Sequence, residues 1–218
     1  MASLTVENYV KAIYQISSEN QAATAATGKV ASALGVSPGT VTSMLKTLSE
    51  SGLATYTPYE GVSLTPAGQK LALRVVRRHR LIELFLVKTL NMDWDEVHAE
   101  AENMEHAVSD RLIERIDSFL GQPQVDPHGD PIPRADGSLD VDETRTLLEC
   151  PVGFAFRLSR VVDQSPEFLR FLSESGLRLG ARGSVRANQA QAGIVTIEIA
   201  GQETSLGRDA AEKLLVSQ

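Results

Sequence analysis

Two hydroxyl-proline pairs, Ser37-Pro38 and Thr65-Pro66, restrict this chain more than any other feature. Each reads as a helix start: the hydroxyl caps free N–H groups, and proline takes the first helical position, where its missing N–H is not needed. Residues 27–35, ahead of the first pair, read as a short helix closed by Gly35, which tolerates the left-handed conformation that ends helices. The helix begun at Ser37 reaches about Ser51 and stops at Gly52. Residues 53–57 and 61–64 are rich in β-formers around Pro58, Tyr59, Glu60 and Gly61, and predict a short hairpin before the second pair restarts helix. A first helix over residues 4–18 follows from Leu4, Val6, Val10, Ile13 and Ile16 at helical spacing, joined by Tyr9 and Tyr14. Helix, glycine turn, helix and hairpin together predict a winged helix-turn-helix.

No breaker follows Gly68 until Asn91, which predicts one long helix over residues 66–90. Asp93 is placed to cap a second, expected to run unbroken over residues 95–120 with Val97, Ala101, Met104, Val108, Leu112, Ile116 and Phe119 on one apolar stripe. Residues 121–146 turn to Pro, Gly and Asp and read as a linker or ordered loop at a domain boundary. Residues 154–162, 183–187 and 193–200 look like strands, with a helix over 165–175 and a last one from about Arg208. Short strands in a stretch of this size predict a small SH3-like β-barrel. The fold class is mainly α with a small β domain.

A length of 218 residues, 42% apolar and 22% charged, is enough for two or three folded units. The opening residues carry no basic cluster ahead of an apolar run and no small-residue cleavage site, and no stretch approaches about eighteen apolar residues. The expectation is a cytoplasmic chain with no signal peptide and no membrane partner. Cys150, the only cysteine, can form neither an intramolecular disulfide nor a thiolate zinc site. The formal charge of −7 argues against indiscriminate nucleic-acid binding, yet residues 1–80 carry eight Lys and Arg against four Glu, which leaves the remainder near −11. A basic front and an acidic back suit a DNA reader joined to a cation-binding module.

In a helix-turn-helix the first turns of the second helix enter the major groove, so the DNA-contact candidates are Ser37, Pro38, Gly39, Thr40, Thr42, Ser43 and Lys46. Small hydroxyls reach phosphates or bases, Pro38 can lie against a thymine methyl, and Lys46 supplies a phosphate contact. On the helix expected from Asp95, residues His98, Glu102, Glu105 and His106 fall at i, i+4, i+7 and i+8 on one face. The preceding helix offers His79 and Glu83 at i, i+4. One Glu-His pair is usually solvated surface; six N and O donors on two helices that can pack together make a cation site. Two other functions compete. Two-helix His/Glu sites also host hydrolysis and oxygen chemistry, but no nucleophile motif, Gly-rich phosphate loop or His-Glu-x-x-His run supports an enzyme. A metal-independent winged-helix regulator would leave the His/Glu face as mere surface.

Residues 7–14, 37–42, 64–68, 78–83, 102–106 with Ser109 and Asp110, and 128–133 carry a specific resemblance. Over essentially its full length the chain resembles the diphtheria toxin repressor family of iron- and manganese-dependent regulators, including the manganese transport regulator branch. The resemblance implies a winged helix-turn-helix over residues 1–75, a helical dimerisation and metal-binding domain with a Pro-rich linker over 76–146, and an SH3-like, FeoA-like domain over 147–218. It implies a homodimer, ordered by metal, that places two recognition helices on palindromic operator DNA and represses metal-ion homeostasis genes. A primary metal site is implied at Glu102, Glu105 and His106 with Asn8 of the first helix, and an ancillary site at His79, Glu83 and His98 completed by Gln164 and Glu167. A related subgroup draws ligands from the linker, which would bring in His128 and Asp126. Glu102 stands where the iron branch has a thiolate, Asn8 where that branch has a thioether and the manganese branch a carboxylate, and Lys11 where the manganese branch has a further carboxylate. An oxygen-rich donor set with a single imidazole suits Mn(II), with Fe(II) the alternative.

Overall fold

The structure, a computed structural model, describes residues 3–19, 23–140, 143–189 and 191–218. The chain divides into two compact units: Met1–His79 with Asn103–Asp110 and Pro133–Ser138, and Arg80–Glu102 with Arg111–Ile132 and Leu139–Gln218.

The first unit opens with α1 (Leu4–Glu19), α2 (Thr27–Leu34) and α3 (Pro38–Glu50), followed by β1 (Ala54–Thr57), β2 (Gly61–Leu64) and the start of α4 (Pro66–Leu90). The start signals operate as expected. Gly35 closes α2 at φ 64, and Ser37 Oγ accepts from the Thr40 N–H at 3.2 Å with Pro38 as the first residue of α3. The hairpin pairs Ala54 with Leu64 through to Thr57 with Gly61. Val10 and Ile13 of α1, Val30 of α2, Val41, Leu45 and Leu48 of α3, Val62 of β2 and Ala72 of α4 are all buried in one core. Each large aliphatic side chain there contributes roughly 1.5–3 kcal/mol, so α3 is held firmly against α1 and presents its other face outward.

The single helix expected over residues 95–120 is in fact two, α5 (Val97–Met104) and α6 (Asp110–Phe119). Neighbouring residues of an α-helix point about 100° apart. Yet Glu105 is fully buried against Lys11 and His106 bonds Glu7, and both of those partners lie on α1. The helix ends at Met104, and both side chains of the turn that follows meet α1. The interruption resets the apolar phase. On α6 the buried positions are Ile113, Ile116 and Asp117, while Leu112 and Phe119 of the expected stripe are exposed.

In the second unit, residues 126–132 of the stretch expected as a linker or ordered loop form an ordered, largely buried turn. Asp126 Oδ1 accepts from the backbone N–H groups of His128 (2.8 Å) and Asp130 (2.9 Å), closing a tight turn. Gly129 sits in that turn at φ 89, and a Cβ there would collide with the Ser159 carbonyl and the Arg160 Cα. The turn is thereby pressed onto the following strand, and the Val161 N–H donates to the His128 carbonyl at 2.9 Å.

The C-terminal sheet contains β3 (Arg145–Thr146), β4 (Ala155–Val161), β5 (Arg182–Gln189), β6 (Ile194–Ile199), β7 (Gln202–Gly207) and β8 (Leu214–Ser217), in the order β3-β8-β4-β5-β6-β7 with antiparallel pairing throughout. Register shifts at Leu158/Arg160 and Val185/Ala187 bend it into an SH3-like domain, with α7 (Pro166–Glu174) and α8 (Arg208–Glu212) alongside. Strands β7 and β8 were not anticipated. The helix expected from Arg208 is five residues long and gives way to strand. Phe156, Leu158, Leu172, Val185, Ile197 and Val216 fill the core, and Trp94 packs into it with its indole N–H on Ser173 Oγ at 2.9 Å.

Candidate metal centre and DNA interface

Within the first unit, α1, α4 and the turn after α5 bring Glu7, Lys11, His79, Glu105 and His106 together, with Asn8 next to Glu7 on α1. His106 Nδ1 lies 2.7 Å from Glu7 Oε2, and Glu7 is backed by the Arg78 guanidinium at 3.8 Å. That contact makes Nδ1 the proton donor and turns the Nε2 lone pair the other way, 3.2 Å from Glu105 Oε1. Asn8 Oδ1, Glu105 Oε1 and His106 Nε2 are buried without hydrogen-bond partners. Buried acceptors left in this way cost free energy unless something positive meets them. The other Glu105 oxygen, Oε2, is already engaged by Lys11 Nζ at 2.7 Å and His79 Nδ1 at 2.6 Å.

A second cluster forms inside the second unit. One atom each from Glu83, Asp126 and His128 lies within 4.8 Å of the others, and all three side chains are buried. His128 Nε2 is 2.8 Å from the Trp94 carbonyl, and the rings stack at 5.9 Å between centroids; the opposite nitrogen, Nδ1, has no hydrogen bond and faces Glu83 Oε2 at 3.8 Å. His98, 47% exposed, stands 3.3 Å from Glu83 Oε1 and 3.9 Å from Glu102. Burial, together with the neighbouring Asp130 and Glu83 carboxylates, pushes the Asp126 carboxyl well above its ordinary range despite the nearby Arg80 guanidinium.

Of the residues expected at the ancillary site, Glu83 and His98 meet at 3.3 Å. His79 Nδ1 lies 2.6 Å from Glu105 Oε2, and the Gln164 amide donates to Asp130 Oδ2 at 2.8 Å. Glu167 is 82% exposed at the start of α7 and faces Arg170 at 3.7 Å. An exposed first-turn carboxylate is stabilised there by the helix end.

On the DNA-reading face, Ser37, Pro38, Gly39, Thr40, Ser43 and Lys46 are exposed and Thr42 is half-buried. Thr42 and Ser43 hydroxyls bond back to the Pro38 and Gly39 carbonyls at 2.9 and 3.2 Å. A Cβ at Gly39 would meet only Ser37 Oγ at 3.8 Å, so packing within the chain does not require glycine there. A groove between α3 and the hairpin is lined by Thr42, Lys46, Tyr56 and Tyr59. Tyr59 is fully exposed at the hairpin tip with φ 70, a feature the sequence reading did not single out.

Over 212 residues the chain is 31% identical to the iron-dependent repressor IdeR of Mycobacterium tuberculosis, spanning 91% of this chain and 90% of that one. It is 30% identical to the diphtheria toxin repressor of Corynebacterium efficiens, over 98% of this chain and 95% of the relative. The chain belongs to the diphtheria toxin repressor family. Residues 1–62 match the iron dependent repressor N-terminal DNA binding domain, residues 65–134 the metal binding and dimerisation domain of the same repressors, and residues 145–218 the FeoA domain. A solved manganese-dependent transcriptional repressor in complex with manganese superposes with a TM-score of 0.88 at 41% identity, covering 97% of this chain and 98% of that one.

As a diphtheria toxin repressor family member, the chain is a metal-dependent transcriptional repressor, and the donors present fit a divalent ion. Both His106 and His128 are held through one nitrogen and turned to leave the other with an unused lone pair, the usual arrangement for metal-binding imidazoles. Glu7, which orients one of them, was not among the sequence candidates.

Proposed function

We propose that this repressor, loaded with Mn(II), binds palindromic operator DNA as a cytoplasmic homodimer and controls metal-ion homeostasis genes, acting by binding and not by catalysis. The observation that carries the reading is the pair Glu105 Oε1 and His106 Nε2, 3.2 Å apart and both buried without a hydrogen bond, with Asn8 Oδ1 of α1 buried in the same way. Asn8, Glu105 and His106 would hold one ion, and Glu83, Asp126 and His128 with His98 a second. These donors are carboxylate and amide oxygens with imidazole nitrogen, a hard set that suits Mn(II) over softer metals. When bound, the ion supplies positive charge that offsets carboxylate repulsion and directed bonds that favour one arrangement of its donors.

The chain's own residues account for the rest. Glu7 orients His106, and Arg78 holds both Glu7 and Asp110, the latter at 2.7 Å, so the turn carrying Glu105 and His106 is tied to α1. Because α1 shares its core with α3, order at this turn bears on the recognition helix. On α3, Lys46 and the hydroxyls of Ser37, Thr40, Thr42 and Ser43 supply phosphate and base contacts, with Pro38 and Gly39 allowing close approach. Exposed Leu112 and Phe119 on α6 offer apolar surface to a second copy.

The test is operator binding by fluorescence anisotropy with apo, Mn(II)-loaded and, under anaerobic conditions, Fe(II)-loaded protein. Mn(II) is expected to raise affinity strongly, and Glu105→Ala or His106→Ala to abolish that response while fold and dimer persist. The iron-dependent relatives make Fe(II) the second reading, and a stronger response to Fe(II) than to Mn(II) would establish it. Equal affinity with and without metal would end both.

A further inference from the structure

Lys11 is 4% exposed, and a lysine so deep is stable as a cation only with close acceptors. It has one: Nζ lies 2.7 Å from Glu105 Oε2, and His79 Nδ1, 3.1 Å from Nζ, donates to that same oxygen at 2.6 Å. Glu105 Oε2 and the His79 imidazole beside it are also of the ligand types that a divalent ion accepts. The two oxygens of Glu105 thus face different surroundings. Oε2 meets the Lys11 ammonium, whereas Oε1 is unpartnered and faces His106.

We propose that the Lys11 ammonium is a built-in cation of this centre, filling the Glu105 Oε2 and His79 side and limiting the centre to one divalent ion on the Asn8, Glu105 Oε1 and His106 side. The inference rests on the reading that an ion binds at Asn8, Glu105 and His106. Two divalent ions sharing Glu105 would place one of them on top of the ammonium, where like charges at contact distance repel. With Lys11 present, Glu105 has half its charge answered without metal, and α1 is pinned to the turn after α5 in the metal-free state. Lys11 is thus the residue that sets the ion count, and a carboxylate in its place converts the Oε2 side into a second ion site.

The experiment counts Mn(II) bound per chain by electron paramagnetic resonance in full-length wild type, Lys11→Glu, Lys11→Gln and His106→Ala. Differences between variants are read, because the Glu83, Asp126 and His128 cluster contributes equally to all. Lys11→Glu is expected to bind one Mn(II) more than wild type and to show the spectrum of an exchange-coupled pair bridged by Glu105. Lys11→Gln keeps the size and polarity of the site, and is expected to gain the same ion at lower affinity and to melt earlier in EDTA than wild type; it decides the matter if Lys11→Glu does not fold. A coupled pair in wild type, or an unchanged count in a folded Lys11→Glu or Lys11→Gln protein, overturns the proposal while leaving a His106-dependent ion standing. If His106→Ala loses no ion, the underlying site assignment fails and the proposal falls with it.

Discussion

Glu7 Oε2 lies 2.7 Å from His106 Nδ1, and on the opposite edge of the same imidazole Nε2 is buried without a hydrogen bond. The carboxylate fixes the ring's orientation and tautomer, so the lone pair that an ion needs is already aimed. Removing such a support commonly lowers metal affinity on the order of 10–100-fold without removing a ligand. Glu7→Gln should therefore shift the Mn(II) midpoint of operator binding upward by that order, with the same midpoint shift in direct Mn(II) titrations. An unchanged midpoint would mean that His106 is oriented by other contacts.

Much of this was readable from residue patterns, and what was not has a common cause. The ends of α4 follow from Pro66 and the absence of a breaker before Asn91, and α2 and α3 from Gly35, Ser37 and Pro38, because caps and prolines act locally. The break between α5 and α6 carries no glycine or proline. Glu105 and His106 in that break both turn to α1, contacts between distant residues that periodicity does not register. His79, Glu83, His98, Glu102, Glu105 and His106 stood out as donors by spacing, but their partition did not. Asp126 and His128 reach Glu83 only because Gly129 lets the loop press onto β4, and they were reached through resemblance alone. Glu7 had one signal, a carboxylate beside Asn8 and one turn before Lys11, which gained meaning only once the turn after α5 was in place.

Gly39 and Lys46 separate DNA binding from stability. Gly39 lies in the first turn of α3, where a Cβ would make only an ordinary contact with Ser37 Oγ at 3.8 Å. Gly39→Ala should leave thermal stability unchanged or raise it by about 0.5–1 kcal/mol, since glycine is a poor helix former, while weakening operator binding if DNA backbone approaches there. Lys46→Ala should weaken specific and unrelated DNA alike and reduce the slope of log affinity against log salt by about 1. Loss of discrimination at a single base position would make Lys46 a base reader instead.

Phe119 is 70% exposed on α6, and Leu112, two turns earlier, is exposed as well. If these side chains meet a second copy, Phe119→Glu with Leu112→Glu should give a folded monomer by sedimentation that no longer binds a palindromic site. The monomer's own stability should change little, because substitutions at exposed positions usually stay within about 0.5 kcal/mol. A dimer that persists in this variant would move the interface away from α6.

Asp126 gives the metal response a pH dependence of definite sign. Burial, and then Asp130 and Glu83, raise its carboxyl well above the ordinary value near 3.8 at which it titrates in the unfolded chain. Metal-free folded protein consequently keeps a proton there that the unfolded chain has released. The stability from this group is fully present below pH 3.8 and is lost as pH rises through the raised value. An ion at Glu83, Asp126 and His128 requires the carboxylate, so binding there strengthens over the same range and opposes that loss. The melting temperature in EDTA should thus contain a component that falls with rising pH, and the gap between Mn(II) and EDTA samples should widen. Asp126→Asn should remove both effects, because the amide does not titrate, while preserving the size of the side chain and an oxygen able to accept from the His128 and Asp130 N–H groups. A gap of constant width across that range in the wild-type protein would rule out Asp126 as a ligand and leave its burial as a purely structural feature of the turn.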